Sequence, residues 1–343
     1  MSGLPRNQII VGDALEQLRN LPDNAVDMVL TSPPYFRLRN YEVDGQLGLE
    51  DHVDSWVGSL EEVCNEIGRV LVPTGTLWLN VADTFSTHPR QGAKAKGLVL
   101  APEKLAIALQ SEGWILRNKI VWAKTNPMPT SVRDRLACTY EVIYVLARNP
   151  TYFFDLDNIR VPHRSTASKH QGSATRNREN WRGPNGDDAS GLAAMKATGR
   201  VGHPFGKNPG DVWQLATSSF RGGHHATYPV TLAARAIRAG CPESRCSSCR
   251  LPWKRDVIRA LGGVATRAVI GPTCDCNAAS EPSIVLDPFI GSGSTAVAAK
   301  ALQRDWLGIE LNPTFAAMAN DRIAAEKRTG TTNPRASPDQ AAA

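Results

Sequence analysis

The stretch Val26-Asp27-Met28-Val29-Leu30-Thr31-Ser32-Pro33-Pro34-Tyr35 decides the fold of this chain. Its first five residues form a short, mostly apolar run that is typical of a buried strand. The two prolines have no N–H to donate, so the strand ends and the chain turns there. A loop at the carboxyl end of a central strand is where α/β proteins bind ligands. The carbonyls of Ser32 and Pro33 suit a bound amino group, and Tyr35 offers a ring to a planar substrate. An ordinary proline turn is the alternative.

A second loop, Asp287-Pro288-Phe289-Ile290-Gly291-Ser292-Gly293, lies between a predicted strand (283–286) and a predicted helix (294–302). Its G-x-G-x-x-A spacing is compatible with a nucleotide-binding turn, in which glycine lets the backbone approach a ligand closely. Glu310 ends the next predicted strand, where a carboxylate accepts hydrogen bonds from ribose hydroxyls. Both a nicotinamide dinucleotide and S-adenosylmethionine fit this arrangement. The Asp287-Pro288-Phe289 triplet and the separate proline loop favour S-adenosylmethionine over the nicotinamide dinucleotide. A tight strand-to-helix turn without a ligand is the alternative.

Strands and helices alternate along most of the chain. Apolar residues step by three and four from Trp56 to Leu71, which predicts an amphipathic helix that Pro73 ends. Further helices are predicted at 14–20, 98–109, 231–240 and 313–326, and further strands at 8–11, 76–81, 115–122, 141–147 and 306–309. This alternation predicts a mostly parallel sheet that is covered on both faces.

Composition narrows the class of protein. The 343 residues are 42% hydrophobic and 21% charged, which is typical of a globular protein. No apolar run is long enough to span a bilayer, and the N-terminus lacks a signal-peptide core, so we expect a cytoplasmic protein. The net charge of +6 favours a polyanionic partner. The basic, polar segment 160–200 predicts either a nucleic-acid contact surface or a flexible insertion.

Five of the seven cysteines lie between 241 and 276. Cys246 and Cys249 form a C-x2-C pair, and Cys274 and Cys276 form a C-x-C pair. In a reducing compartment this pattern favours a structural zinc site over disulfides, with unliganded thiols as the alternative. Cys241 is expected to be spare, and Cys64 and Cys138 are expected in the core.

Taken together, the two loops resemble motifs of the amino-methylating DNA methyltransferases. Residues 287–293 resemble the D-P-F-x-G-S-G cofactor loop of that family, and Thr31–Tyr35 resembles its S-P-P-Y catalytic loop. The catalytic loop comes first, as in the circularly permuted β group. Asp13 resembles the acid that contacts the cofactor adenine, residues 120–127 resemble the segment lining the base pocket, and residues 225–229 resemble the return into the cofactor domain.

The resemblance implies a Rossmann-like, seven-stranded, mostly parallel sheet with one antiparallel strand, the class I fold of S-adenosylmethionine-dependent methyltransferases. The implied division is a catalytic half (1–155), a target-recognition segment (156–204), a return segment (205–240), a zinc-ribbon-like insertion (241–278), a cofactor half (279–327) and a disordered tail (328–343).

The implied activity is methyl transfer to N4 of a flipped cytosine in double-stranded DNA, with N6 of adenine as the alternative. Family members with Ser at the position of Ser32 mostly modify cytosine. The implied site residues are, for catalysis, Ser32, Pro33, Pro34 and Tyr35; for the cofactor, Asp13, His225, Pro229, Asp287, Phe289, Gly291, Gly293 and Glu310; and for zinc, Cys246, Cys249, Cys274 and Cys276. A restriction endonuclease is a possible partner. A non-catalytic zinc-containing DNA-binding protein and a nicotinamide-dependent oxidoreductase remain as other classes.

Overall fold

The computed structural model describes residues 4–162, 203–217, 228–259 and 265–326. These fall in two compact units, one within Met1–Phe154, Asp211–Lys254 and Gly271–Ala343, the other within Asp155–Gly210 and Arg255–Ile270. His225, most of the expected target-recognition segment and the expected tail lie outside the described residues. Within the described ranges, no helix has the length and apolar character needed to cross a membrane.

The first unit is built on an eight-stranded sheet with the order β1-β12-β11-β2-β3-β5-β4-β6. β5 is antiparallel to both of its neighbours, and the other neighbouring pairs of the sheet are parallel. The strands are β1 (Gln8–Val11), β2 (Val26–Thr31), β3 (Leu71–Val81), β4 (Ile115–Lys124), β5 (Tyr140–Ala147), β6 (Val212–Leu215), β11 (Ile284–Asp287) and β12 (Asp305–Glu310).

Six helices accompany this sheet: α1 (Ala14–Arg19), α2 (Val53–Val70), α3 (Ala101–Ser111), α4 (Val230–Gly240), α5 (Ser294–Ala301) and α6 (Pro313–Ala325). α2 packs against α1 and α3, while α5 packs against α4 and α6. α2 buries Trp56, Leu60, Val63 and Ile67, the residues of the predicted apolar stripe. The expected fold class, a mostly parallel α/β sheet, is therefore confirmed.

β3 shows how the sheet is covered on both faces. Leu77, Leu79 and Val81 belong to the apolar cluster that includes the buried face of α2. The alternate residues point the other way, because side chains in a strand alternate between faces. On that side, a Cβ on Gly240 of α4 would lie 2.5 Å from Nε1 of Trp78, so only glycine fits where α4 meets the sheet.

Two details differ from the expected architecture. The sheet has one strand more than the seven implied, because β6 adds to β4 at the sheet edge. Its four residues are too few to show a period. The second helix ends at Val70, before Pro73, and β3 begins at Leu71. Pro73 is tolerated in a strand here because the β2–β3 register shifts between Val26 and Met28, at a bulge.

The two ends of the described chain meet in the sheet, since β1 pairs with β12. The predicted circular permutation stays a prediction. A two-stranded sheet of β7 (Ser244–Cys246) and β10 (Ser280–Pro282) also belongs to the first unit. The second unit contains an antiparallel pair, β8 (Val257–Arg259) and β9 (Ala265–Arg267), and an ion pair between Arg267 and Asp155.

Candidate active site

The two motif loops lie side by side. β2 pairs in parallel with β11, so the loops that follow these strands leave from the same edge of the sheet. A cavity of about 1080 Å³ opens at this edge. Its lining includes Ser32 and Tyr35 from the proline loop and Phe289 and Gly291 from the glycine loop. The fold thus joins the four predicted catalytic residues and five of the predicted cofactor residues in a single cavity: Asp13, Asp287, Phe289, Gly291 and Glu310.

A chain of hydrogen bonds organises the end of the cavity at the proline loop. The Ser32 hydroxyl donates to the Tyr35 hydroxyl at 2.9 Å, and the Tyr35 hydroxyl lies 2.7 Å from Oε2 of Glu141, to which it donates. Burial, and the negative charge of Glu141, raise the pKa of Tyr35 well above its usual value, so the hydroxyl keeps its proton. Glu141 also forms a 2.7 Å ion pair with Nζ of Lys124. Because the Ser32 hydroxyl directs its hydrogen at Tyr35, the lone pairs of the Ser32 oxygen remain available to a hydrogen-bond donor in the cavity.

A buried tryptophan of α2 anchors the backbone of the proline loop. Nε1 of Trp56 donates to the carbonyl of Pro34 at 2.9 Å, and Trp56 is fully buried. Within the described residues, the Pro33 carbonyl has no hydrogen-bond donor. The loop therefore presents two acceptors to the cavity, the Ser32 oxygen and the Pro33 carbonyl, and both Ser32 and Pro33 line it. Such a pair suits an –NH2 group.

The other end of the cavity is formed by the glycine loop and Glu310. The backbone N–H groups of Gly291 and Asn312 donate to the two oxygens of Glu310, both at 2.9 Å. Gly291 has a φ of 47°, in the left-handed region that favours glycine. Burial raises the pKa of Glu310 above its usual value, and these two N–H groups oppose that shift. Asp13, the N-cap of α1, also lines this end.

Asp287 connects the two loops. The Thr31 hydroxyl and the Phe289 N–H donate to its Oδ1, at 2.6 and 3.1 Å. The Tyr228 and Thr295 hydroxyls donate to its Oδ2. Burial raises the pKa of Asp287, and these donors oppose the shift. Because four protein donors occupy the carboxylate, Asp287 positions the loops, and its oxygens are not free for the cofactor contact expected from the sequence.

Asp287 lines the cavity, whereas two expected cofactor residues, Gly293 and Pro229, lie outside its lining. Gly293 caps α5 with a φ of 81°, and a Cβ there would lie 3.1 Å from Ile323, so this position favours glycine. Its predicted role in cofactor binding stays a prediction. Pro229 caps α4, and its neighbour Tyr228 lines the cavity instead. The buried Cys64 agrees with expectation, whereas Cys138 is exposed, so its predicted place in the core is wrong.

Sequence reasoning missed Glu141, Tyr228 and Asn80, which all line the cavity. Glu141 is the second residue of the antiparallel strand β5, and its only sequence signal is an acid near the start of an apolar run. The segment 120–127, which was expected to line a base pocket, contributes Trp122, Lys124, Asn126 and Pro127 to the lining of this cavity.

The chain matches the N6/N4 DNA methylase family over residues 26–321. It belongs to this family. A type II methyltransferase of Serratia marcescens, M.SmaI, is 31% identical over 94% of this chain and 92% of its own length. The resemblance to β-group amino-methyltransferases is therefore confirmed, and the protein is a DNA methyltransferase.

Solved structures agree with this fold. The PvuII cytosine-N4-specific DNA methyltransferase superimposes with a TM-score of 0.58 at 15% identity, covering 96% of this chain and 89% of that one. Thermus thermophilus TTHA0409, in complex with S-adenosyl-L-methionine, superimposes with a TM-score of 0.53 at 22% identity, covering 93% of each chain. Membership of the DNA methylase family makes S-adenosylmethionine the cofactor of this methyltransferase and excludes the nicotinamide-dependent oxidoreductase.

Proposed function

We propose that this DNA methyltransferase modifies N4 of a cytosine that is flipped out of double-stranded DNA into the cavity beside Ser32 and Tyr35. The observation that carries the proposal is the hydrogen-bond chain from Ser32 through Tyr35 to Glu141. Transfer of a labelled methyl group from S-adenosylmethionine to duplex DNA by the purified protein tests the activity. Absence of transfer to any DNA would favour the non-catalytic DNA-binding protein.

The proposed chemistry follows from the poor nucleophilicity of the base amine. Its lone pair is delocalised into the ring, so attack requires the nitrogen to move towards tetrahedral geometry. The Ser32 oxygen and the Pro33 carbonyl each accept one amine N–H, which holds the group in that geometry. Tyr35 lends its ring face to the flipped base while its hydroxyl keeps the Ser32 proton turned away from the amine. These contacts gain most in the transition state, where they raise turnover.

Several observations support cytosine over adenine as the target base. The residue before the two prolines is Ser32, the type associated with cytosine in the family that the loop resembles. The PvuII DNA methyltransferase, which is named as cytosine-N4-specific, shares the fold of this chain, and this likeness of fold supports the same choice. Trp122 and the ion-paired Lys124 and Glu141 bound the same end of the cavity and are available to contact the base edge. N6 of adenine is the runner-up, because the two acceptors would hold either amine.

The residues at the glycine-loop end fit the cofactor. Gly291 brings bare backbone to the cavity, Phe289 offers an apolar ring, and Asp13 and Glu310 place two carboxylates there, as hydroxyls and amines of a nucleoside require. S-adenosylmethionine, when bound, supplies the methyl group on a positively charged sulfur. Asp287 keeps this end in register with the proline loop through Thr31.

The DNA partner agrees with the charge of the chain. A net charge of +6 favours a phosphate backbone, and flipping a base costs a few kcal/mol that such contacts offset. We assign target recognition to 156–204, although 163–202 lies outside the described residues. The relative M.SmaI is named a type II methyltransferase, so we propose a role in restriction-modification, with a cognate endonuclease as partner.

Glu310→Ala should weaken S-adenosylmethionine binding by about 1.5–3 kcal/mol, since hydrogen bonds to a charged group are lost. The carboxylate also orders the glycine loop through the Gly291 N–H, so both effects act in the same direction. Calorimetric titration measures the change. Asp305→Ala, on the same strand but outside the cavity lining, is the control and should bind normally. Unchanged affinity of the Glu310 variant would refute this role.

A further inference from the structure

Four cysteines come together beside the small sheet of β7 and β10. Cys246 ends β7, Cys249 lies in the turn after it, and Cys274 and Cys276 precede β10. Their sulfur atoms all lie within 4.8 Å of one another. All seven cysteines lie in described residues, and none forms a disulfide. The other three, including Cys241, are not part of this group, which we call the cysteine cluster.

The spacing of the sulfur atoms fits a single metal ion. Four thiolates at about 2.3 Å from a shared tetrahedral centre are about 3.8 Å apart. The observed upper limit of 4.8 Å allows such a sphere to form with small side-chain movements. Four soft sulfur donors without a carboxylate or imidazole select zinc among the common divalent ions.

The backbone around the cysteine cluster is shaped for metal binding. The residues that directly follow each pair, Arg250 and Asn277, have φ values of 62° and 51°, in the left-handed region. The Arg250 N–H donates to the Cys246 carbonyl at 3.0 Å and closes the turn.

The cysteine cluster is attached to the strand that carries the proline loop. Arg245, next to Cys246, is 2% exposed and donates to Oδ2 of Asp27 in β2 at 3.0 Å and to the Ala25 carbonyl at 2.8 Å. Arg250 donates to the carbonyls of Asp23 and Asn24, just before the same strand. The arrangement of the cysteine cluster therefore positions Arg245 and Arg250 against the start of β2 and the residues just before it.

We propose that the cysteine cluster binds one structural Zn²⁺ through four thiolates, and that the ion fixes β7, with Arg245 and Arg250, against β2. A four-thiolate sphere leaves no open position, so the metal stabilises the fold and takes no part in methyl transfer. The inference is independent of which base is methylated.

Metal analysis of the full-length protein, purified under reducing conditions without a metal-affinity step, tests the site. We expect about one zinc per chain, and visible thiolate-to-metal absorption after exchange with Co²⁺. The Cys249→Ser/Cys276→Ser variant should lose the zinc, while Cys138→Ser, at an exposed cysteine outside the cluster, should keep it.

A second readout covers the case in which the double variant folds poorly. A strong chelator added to the wild-type protein should remove the zinc and lower the melting temperature, and added Zn²⁺ should restore both. Wild-type protein with well under one zinc per chain, or a double variant that is folded and retains its zinc, would overturn the proposal.

Discussion

Ser32→Ala should lower kcat by about a hundredfold to a thousandfold, the usual loss when one preorganised hydrogen-bonding group is removed from a reacting centre. The variant loses the oxygen that holds one amine N–H, and the Pro33 carbonyl alone does not fix the amine geometry. Affinity for S-adenosylmethionine should stay near the wild-type value, since Ser32 is not one of the residues assigned to the cofactor and its hydroxyl is hydrogen-bonded to Tyr35. Steady-state kinetics and calorimetry measure the two quantities separately.

Two controls accompany this variant. Ser59→Ala removes a hydroxyl that donates to Ser55 on the exposed surface of α2 and should leave kcat unchanged. Tyr35→Phe keeps the ring but breaks the link from Ser32 to Glu141, so we expect a smaller fall than for Ser32→Ala. Wild-type turnover of Ser32→Ala would show that the hydroxyl does not hold the amine.

Arg245→Met should destabilise the protein by about 3–5 kcal/mol, because it leaves the carboxylate of Asp27 buried without its charged partner. Both side chains are 2% exposed. Denaturant unfolding measures the loss. The Asp27→Asn/Arg245→Met double variant removes both charges and should recover much of the stability. Lys96→Met, at an exposed ion pair with Asp134, should leave the midpoint unchanged.

The loss in Arg245→Met should depend on pH. Burial raises the pKa of Asp27 from 3.8 to about 6, and Arg245 opposes that rise. A carboxyl whose pKa is raised in the folded state holds its proton more firmly than in the unfolded state. Its contribution is therefore greatest in acid and is lost as the pH rises through the folded pKa. Without Arg245 the pKa rises further, so the deficit should be larger at about pH 8 than at about pH 5. An equal deficit at both would contradict the assignment.

The parts of the site that were predictable each lie in a short local motif. Prolines, glycines and an acid next to apolar runs identify these positions in the sequence. The structure brings them into one cavity: Ser32 to Tyr35, Phe289, Gly291 and Glu310. Turn chemistry of this kind is local, so it survives without knowledge of the rest of the fold.

The missed parts depend on partners that are distant in the chain. The role of Glu141 depends on its hydrogen bond with Tyr35, 106 positions earlier in the chain. The carboxylate of Asp287 accepts a hydrogen bond from Thr31, 256 positions earlier. The short strand β6 exists only because β4 offers it an edge. Arg245 lies in a polar stretch and is buried because Asp27 and Glu281 receive it. A period or a motif contains no information about such pairs.

Mass spectrometry of nucleosides from duplex DNA methylated by the purified protein tests the proposed function most directly. A DNA mixture rich in varied sequence serves as substrate, and DNA incubated without S-adenosylmethionine is the control. We expect N4-methyldeoxycytidine to appear, and to be strongly reduced with Ser32→Ala. N6-methyldeoxyadenosine without N4-methyldeoxycytidine would contradict the assignment of Ser32 and Tyr35 to a cytosine amine.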